Sequence, residues 1–201
     1  IAAQFKKNPL VILPAGSVEQ HGPHLPTGTD IYASNVIGHA VAERMDGLVL
    51  PGGPLGVTPM HMPFEGTITL SPDTYQRVVV ETCESTAQHG AKRLLILNWH
   101  EGNIPSLAIA SEELHRDVGM NVIVVQACYV AAELYGHDCG GLTHGGEIEA
   151  LAVLAYRQPV SRSRVMNSRC EPSGVPPTTV AALSQPLGST SPLPGVTFCT
   201  P

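Results

Sequence analysis

Leu10-Val11-Ile12-Leu13 runs straight into Pro14-Ala15-Gly16-Ser17-Val18-Glu19-Gln20-His21-Gly22-Pro23-His24-Leu25-Pro26-Thr27-Gly28-Thr29-Asp30. An apolar run of this length without polar alternation suits a short strand covered on both faces. Similar runs recur at Leu48–Leu50, Arg93–Leu97 and Asn121–Val125, each bounded by Gly, Pro or Asn. Helix-like segments lie between them. Asp30 to Met45 carries Ile37, Val41 and Met45 at four-residue spacing, the stripe of a helix packed on a sheet. Ser71-Pro72-Asp73 offers a capping hydroxyl, a proline suited to the first helical position and an acid at the positive end of the dipole. That helix is expected to run to about His89 and stop at Gly90. Further helices fit Ile104–Asp117, ended by Gly119, and Gly146–Tyr156. Strand-helix alternation at this pitch predicts an α/β fold, a mostly parallel β-sheet flanked by helices.

At 201 residues the chain fits one domain, able to bury about 70 % of its unfolded surface. A net charge of −6 with only 11 Lys and Arg argues against nucleic acid as a partner. The apolar stretches fall short of the roughly 20 residues of a membrane span, and Ile1 to Asn8 lack a signal-peptide layout. Five scattered cysteines without a C-x-x-C spacing read as reduced thiols, hence a cytoplasmic protein. The periodic pattern ends after Arg157. Residues 1–157 are therefore read as the catalytic α/β domain. Residues 158–201, with eight prolines, are read as an irregular arm of the same domain.

In a doubly wound sheet, ligands gather at the carboxyl ends of the strands. Three polar clusters follow such ends: the loop from Pro14 to Asp30, Asn98-Trp99-His100-Glu101-Gly102-Asn103, and Thr143-His144-Gly145-Gly146-Glu147-Ile148-Glu149. Each is a glycine-containing turn bearing a His and an acid. His and carboxylate donors without thiolate suit Zn²⁺, Mn²⁺ or Fe²⁺. Glu19 and His21, two apart on an extended segment, can point to the same side. Asp30 closes that loop back toward them, and its carboxylate is the natural bridge between two ions. His100 adds an imidazole from a neighbouring strand.

At these residues the sequence resembles the creatininase family. Gly16-Ser17-Val18-Glu19-Gln20-His21-Gly22-Pro23-His24-Leu25-Pro26 followed by Thr29-Asp30 looks like the family's signature loop. Asn98-x-His100-x-Gly102-Asn103 resembles its N-G-H-G-G-N segment, and His144-Gly145-Gly146-Glu147-Ile148-Glu149 its H-A-G-E-x-E segment. Phe64-Glu65-Gly66-Thr67 matches its F-P-G-T turn, with Glu65 in place of Pro. The resemblance implies an α/β hydrolase with two divalent ions, acting on C–N bonds of cyclic or linear amides in a small-molecule substrate. It implies a homo-oligomer, often a hexamer. It also implies that Glu19 and His100 hold one ion, His21 and Glu147 the other, with Asp30 between. In creatininase itself the last ligand is an acid two residues after the metal-binding His. That position is Gly102 here, so the role passes to Glu147.

Two ions lower the pKa of a shared water toward neutral, and His144 lies close enough to pass a proton to the leaving nitrogen. His144 and Glu147 are thus the expected catalytic residues. Trp99, Glu101 and His61 are the expected substrate-binding ones, and Glu101, adjacent to His100, is expected to face away from the metals. His24 is expected to orient a ligand or hold the loop. Ser17 lacks the strand-turn-helix elbow of a nucleophile and is expected to hydrogen-bond within the loop. Two other readings share the scaffold: hydrolysis of a C–C bond in a cyclic polyol ketone, and a non-catalytic metal-binding assembly protein.

Overall fold

The computed structural model describes residues 1–53, 55–135 and 144–157, and the backbone of the strand at 196–198. Five strands form one sheet: β1 (Leu10–Ala15), β2 (Leu48–Val49), β3 (Arg93–Asn98), β4 (Asn121–Gln126) and β5 (Val196–Phe198). Their order across the sheet is β2-β1-β3-β4-β5, with the first four parallel and β5 antiparallel to β4. The α-helices described are α1 (Ala2–Lys7), α2 (Thr29–Met45), α3 (Pro72–Gln88), α4 (Ile104–Glu113), α5 (Ala127–Tyr135) and α6 (Glu147–Arg157), with short 3-10 turns at Pro59–His61 and Glu101–Asn103. The predicted α/β architecture is present, with a π-helical turn at Leu114–Val118 ending the α4 segment before Gly119.

Why the strands read as unbroken apolar runs is visible in the packing. Val11 and Leu13 point into a core with Val79, Val80, Leu107 and Leu114 of the α3–α4 layer. Leu10 and Ile12, one residue out of step, point to the other face and pack with Ala42 of α2. Alternate side chains cross the sheet, and both faces are covered. Pro14, an unusual residue in an inner strand, is accommodated by register. Leu50 N–H donates to the Ile12 carbonyl and Trp99 N–H to the Ala15 carbonyl, so Ile12 and Pro14 share the β2 edge. β2 has already ended at Val49 there, and the missing N–H of Pro14 leaves no ladder partner wanting.

The helix start at Ser71 is as predicted: its Oγ accepts from Thr74 N–H at 3.3 Å, with Pro72 at the first position. Three elements escape the periodicity. α1 is one and a half turns long, too short to show a stripe. α5 follows β4 without a connecting residue, so no turn signal marks it. β5 lies inside the stretch read as irregular, and that reading is corrected for Val196–Phe198, where three residues are too few to show a pattern. Residues 158–195 lie outside the described residues. No described helix is long and apolar enough to cross a membrane.

The topology places the site. β1 and β3 are adjacent and in register, Ala15 opposite Asn98, while the chain order reverses on either side of β1. The loops leaving β1 and β3 therefore open side by side at the carboxyl edge, the position where such sheets bind ligands.

Candidate metal centre

Immediately after β1, Gly16 packs on the first turn of α2. A Cβ at that position would stand 2.6 Å from the Asp30 carbonyl carbon, so only glycine allows the approach. The contact fixes Asp30 at the helix start, buried, with its carboxylate turned back under the loop. Ser17 Oγ donates to Asp30 Oδ2 at 2.8 Å, the loop-holding role the sequence predicts for it. Glu19 N–H donates to the Thr27 carbonyl at 2.9 Å and closes the loop. Glu19 itself is buried, and the Thr58 hydroxyl donates to its Oε2.

The two inner histidines are held by backbone carbonyls, which decides which nitrogen faces the cluster. His21 Nδ1–H donates to the Glu19 carbonyl at 3.1 Å, leaving Nε2 3.0 Å from Asp30 Oδ1 and 3.7 Å from Glu149 Oε2. His100 Nε2–H donates to the Val57 carbonyl at 2.9 Å, leaving Nδ1 3.3 Å from Asp30 Oδ2 and 3.4 Å from Glu19 Oε1. Behind β3, Asn98 Nδ2 donates to the His100 carbonyl at 2.6 Å and to Gln126 Oε1 at 2.7 Å. Asn103 Nδ2 donates to the Gly16 carbonyl at 3.0 Å, and its Oδ1 accepts from Val57 N–H at 2.9 Å. One asparagine thus ties together the β1 turn, the β3 turn and the segment carrying Thr58.

These contacts shape the charges. Burial alone would lower the His21 pKa, but the Asp30 and Glu149 carboxylates outweigh it and raise it to about 10. His100 follows the same pattern: burial lowers, Asp30 and Glu19 raise, and the result is about 10. Burial pushes Asp30 upward, yet hydrogen bonds from His100 and His21 bring it down to about 2. Glu19 is likewise depressed, with burial opposed by His100 and Thr58. The carboxylates are ionised and the two imidazoles protonated, paired across the same short gaps.

The third cluster arrives on the N-terminal turn of α6, and here one expectation is corrected. Glu147, assigned above as the fifth ligand and a catalytic residue, is exposed. The acid brought to His21 is Glu149, 5 % exposed, whose Oε2 also accepts from Gly145 N–H at 2.5 Å. Residues two apart on a helix point to nearly opposite sides, so only one of the two acids can face the site. The buried face is marked by Ile148, Ala152 and Val153, and Glu149 belongs to it. Reading that stripe in the sequence would have selected Glu149.

His144 Nε2–H donates to the Gln20 carbonyl at 2.6 Å, and its Nδ1 stands 3.6 Å from Glu19 Oε1. His61 stacks on it at 4.9 Å between ring centroids, with Nε2 3.7 Å from Glu19 Oε1. The Gln20 side-chain amide lies 3.3 Å from His61 Nδ1, a contact the sequence did not suggest. His24 Nε2–H donates to the Gly145 carbonyl at 2.9 Å, so it pins the third loop onto the first. Three groups have ligand atoms all within 4.8 Å of one another: Glu19, His21 and Asp30; His21, His144 and Glu149; Glu19, His61 and His144.

A pocket of about 430 Å³ opens above the cluster, and Trp99, Glu101, Cys128, Met60 and His61 line it. Trp99 is buried against α5 and α6 as well as lining the pocket, and its Nε1 has no hydrogen-bond partner among the described residues. Gly102 cannot carry a side chain. A Cβ there would collide with the Val57 carbonyl oxygen and sit 2.5 Å from His100 Nε2. Glu101 is exposed and outside the three ligand groups.

The family described as Creatininase: Creatinine amidohydrolase matches residues 1–190. A mycofactocin precursor peptide peptidase from Mycobacterium ulcerans (strain Agy99) is 34 % identical over 158 residues, 73 % of this chain and 58 % of that protein. The chain therefore spans less than two thirds of that relative. A creatinine amidohydrolase from Pseudomonas putida is 30 % identical over 191 residues, 85 % of this chain and 73 % of the relative. Among solved structures, one described as creatininase Mn superposes with a TM-score of 0.64 at 28 % identity, over 88 % of this chain and 76 % of that one. A mutant creatininase of Zn-Zn type gives a TM-score of 0.62 at 28 % identity and the same coverage. Sheet order, loop motifs and overall match lead to one conclusion: this chain belongs to the creatininase family.

Proposed function

We propose that this chain is a metal-dependent amidohydrolase, cleaving an amide-type C–N bond, cyclic or linear, in a small molecule with water activated by two divalent ions. One observation carries the reading: the two oxygens of Asp30 face two different imidazoles, Oδ1 toward His21 Nε2 and Oδ2 toward His100 Nδ1. A carboxylate split in this way supports a bridging role, in which Asp30 would help to hold both ions. Glu19 stands on the His100 side and Glu149 on the His21 side. The donor atoms lie 3.0–3.7 Å apart. That matches the edge of about 3.4 Å expected for a tetrahedron of bonds near 2.1 Å. Two ions held there would lower the pKa of a shared water and polarise a substrate carbonyl. Family structures described with Mn and with Zn favour those metals, alongside Fe²⁺ on donor type.

His144 is the proton carrier in this reading. Its side chain is 39 % exposed where His21 and His100 are enclosed, and Nδ1 borders Glu19 while Nε2 is anchored on Gln20. It can take a proton beside the carboxylate and release it to a leaving nitrogen in the pocket. Trp99 and His61 wall the substrate. Relatives named for an amidohydrolase and a peptidase support a C–N bond as the target. The test is metal analysis of protein purified without chelator, followed by titration of the stripped protein. Two transition-metal ions per chain are expected, with both lost in Asp30→Ala. Hydrolysis of a panel of lactams and short peptides should vanish on chelation and return with metal. A wild type that binds no transition metal ends the proposal.

A further inference from the structure

We propose that Glu101 sets the specificity of this pocket, and that its substrates carry a protonated amine or amidinium beside the amide that is cut. This rests on the amidohydrolase reading above.

The pocket is lined by four carboxylates, those of Glu19, Asp30, Glu101 and Glu149, and by no Lys or Arg among the described residues. The inner three each face an imidazole. Glu101 is different. No ion pair joins it to any described Lys, Arg or His, and it is an exposed residue that lines the pocket. It is not a distant surface acid. Glu101 and Cys128 line the same pocket, and the Cys128 thiol is pushed up to about 12, chiefly by burial and then by the charge of Glu101. The Tyr129 hydroxyl, held neutral by burial and by the nearby carboxylate, donates a hydrogen bond to Glu101, a contact that leaves the charge of Glu101 in place.

Charge balance then favours one substrate class. Two divalent ions with one shared hydroxide would balance Glu19, Asp30 and Glu149, whereas Glu101 remains an anion with no cationic side chain paired to it among the described residues. In a cleft that focuses the field, such a carboxylate attracts a cationic nitrogen and repels a carboxylate or phosphate.

The experiment uses the metal-loaded full chain and hydroxamates, which anchor on metal ions whatever the rest of the molecule carries. β-Alanine hydroxamate and butanohydroxamate are nearly isosteric and differ by one positive charge at pH 7. Calorimetric titration should show the ammonium probe binding about tenfold tighter, the gain typical of a charge-assisted hydrogen bond. Glu101→Gln should bring the two probes to within about twofold at unchanged metal content, and Glu101→Lys should shift the preference to succinic monohydroxamate. Tight binding that ignores charge in the wild type, or a preference that survives Glu101→Gln, overturns the role of Glu101 and leaves the metal centre standing. A loaded protein that binds no hydroxamate at all overturns the hydrolase reading, and this inference with it.

Discussion

Asp30 Oδ1 lies 3.0 Å from His21 Nε2, at the contact where the first loop and the first turn of α2 meet under the site. Glu149 approaches the same nitrogen at 3.7 Å. The prediction is a contrast within α6. Glu149→Gln should weaken one ion by about 10- to 100-fold while leaving the other, a loss in the range seen when a metal site loses a supporting group. Glu147→Gln should change neither. Metal content after dialysis against a weak chelator reads both.

The raised pKa values give a pH dependence with a definite sign. In chelated protein, His21 and His100 hold protons up to about 10, above their ordinary 6.5, so their contribution to stability is complete below 6.5 and is lost as pH rises through 10. Asp30, lowered to about 2 from 3.8, contributes above 3.8 and loses that contribution as pH falls through about 2. Thermal unfolding in chelator should therefore show a falling midpoint between pH 7 and 10. Each ion must displace one histidine proton, so each affinity should rise about tenfold per pH unit over the same window, and the combined two-ion affinity about 100-fold. A metal affinity flat from pH 7 to 9 would contradict the protonated cluster.

Gly102→Ala tests the close approach behind His100. The added Cβ would strike the Val57 carbonyl, the group that accepts from His100 Nε2–H. A cost of about 1–3 kcal/mol is expected from overpacking, with weaker metal binding because the imidazole loses its anchor. Denaturant midpoints and metal titration measure the two effects separately.

Ile96→Ala tests the sheet on which the site stands. Ile96 is fully buried in β3 among side chains of the α3–α4 layer. Truncation should cost about 2–5 kcal/mol, read from a shifted urea midpoint at unchanged slope.

Much of this was legible without coordinates. The apolar runs at Leu10, Arg93 and Asn121 place the strands because a doubly covered strand tolerates no polar alternation. Glu19, His21, Asp30 and His100 could be gathered because strand ends in an α/β sheet converge on one edge. Glu149 was within reach of the sequence, since Ile148 and Ala152 mark the buried side of its helix, but the motif drew attention to Glu147. The tertiary partners of Thr58, Gln20 and Asn103 were not within reach. Their partners lie 39, 41 and 87 residues away for Glu19, His61 and Gly16, and no local pattern encodes such pairings.

By itself, the sequence determined the fold class and the chemical kind of the site, because periodicity and donor type are properties of local residue order. Which acid of α6 joins the cluster, which nitrogen of each histidine faces it, and how Asp30 divides its oxygens were decided only by tertiary structure. Those are matters of helix phase and of backbone carbonyls supplied by distant segments, among them the Val57 oxygen that orients His100.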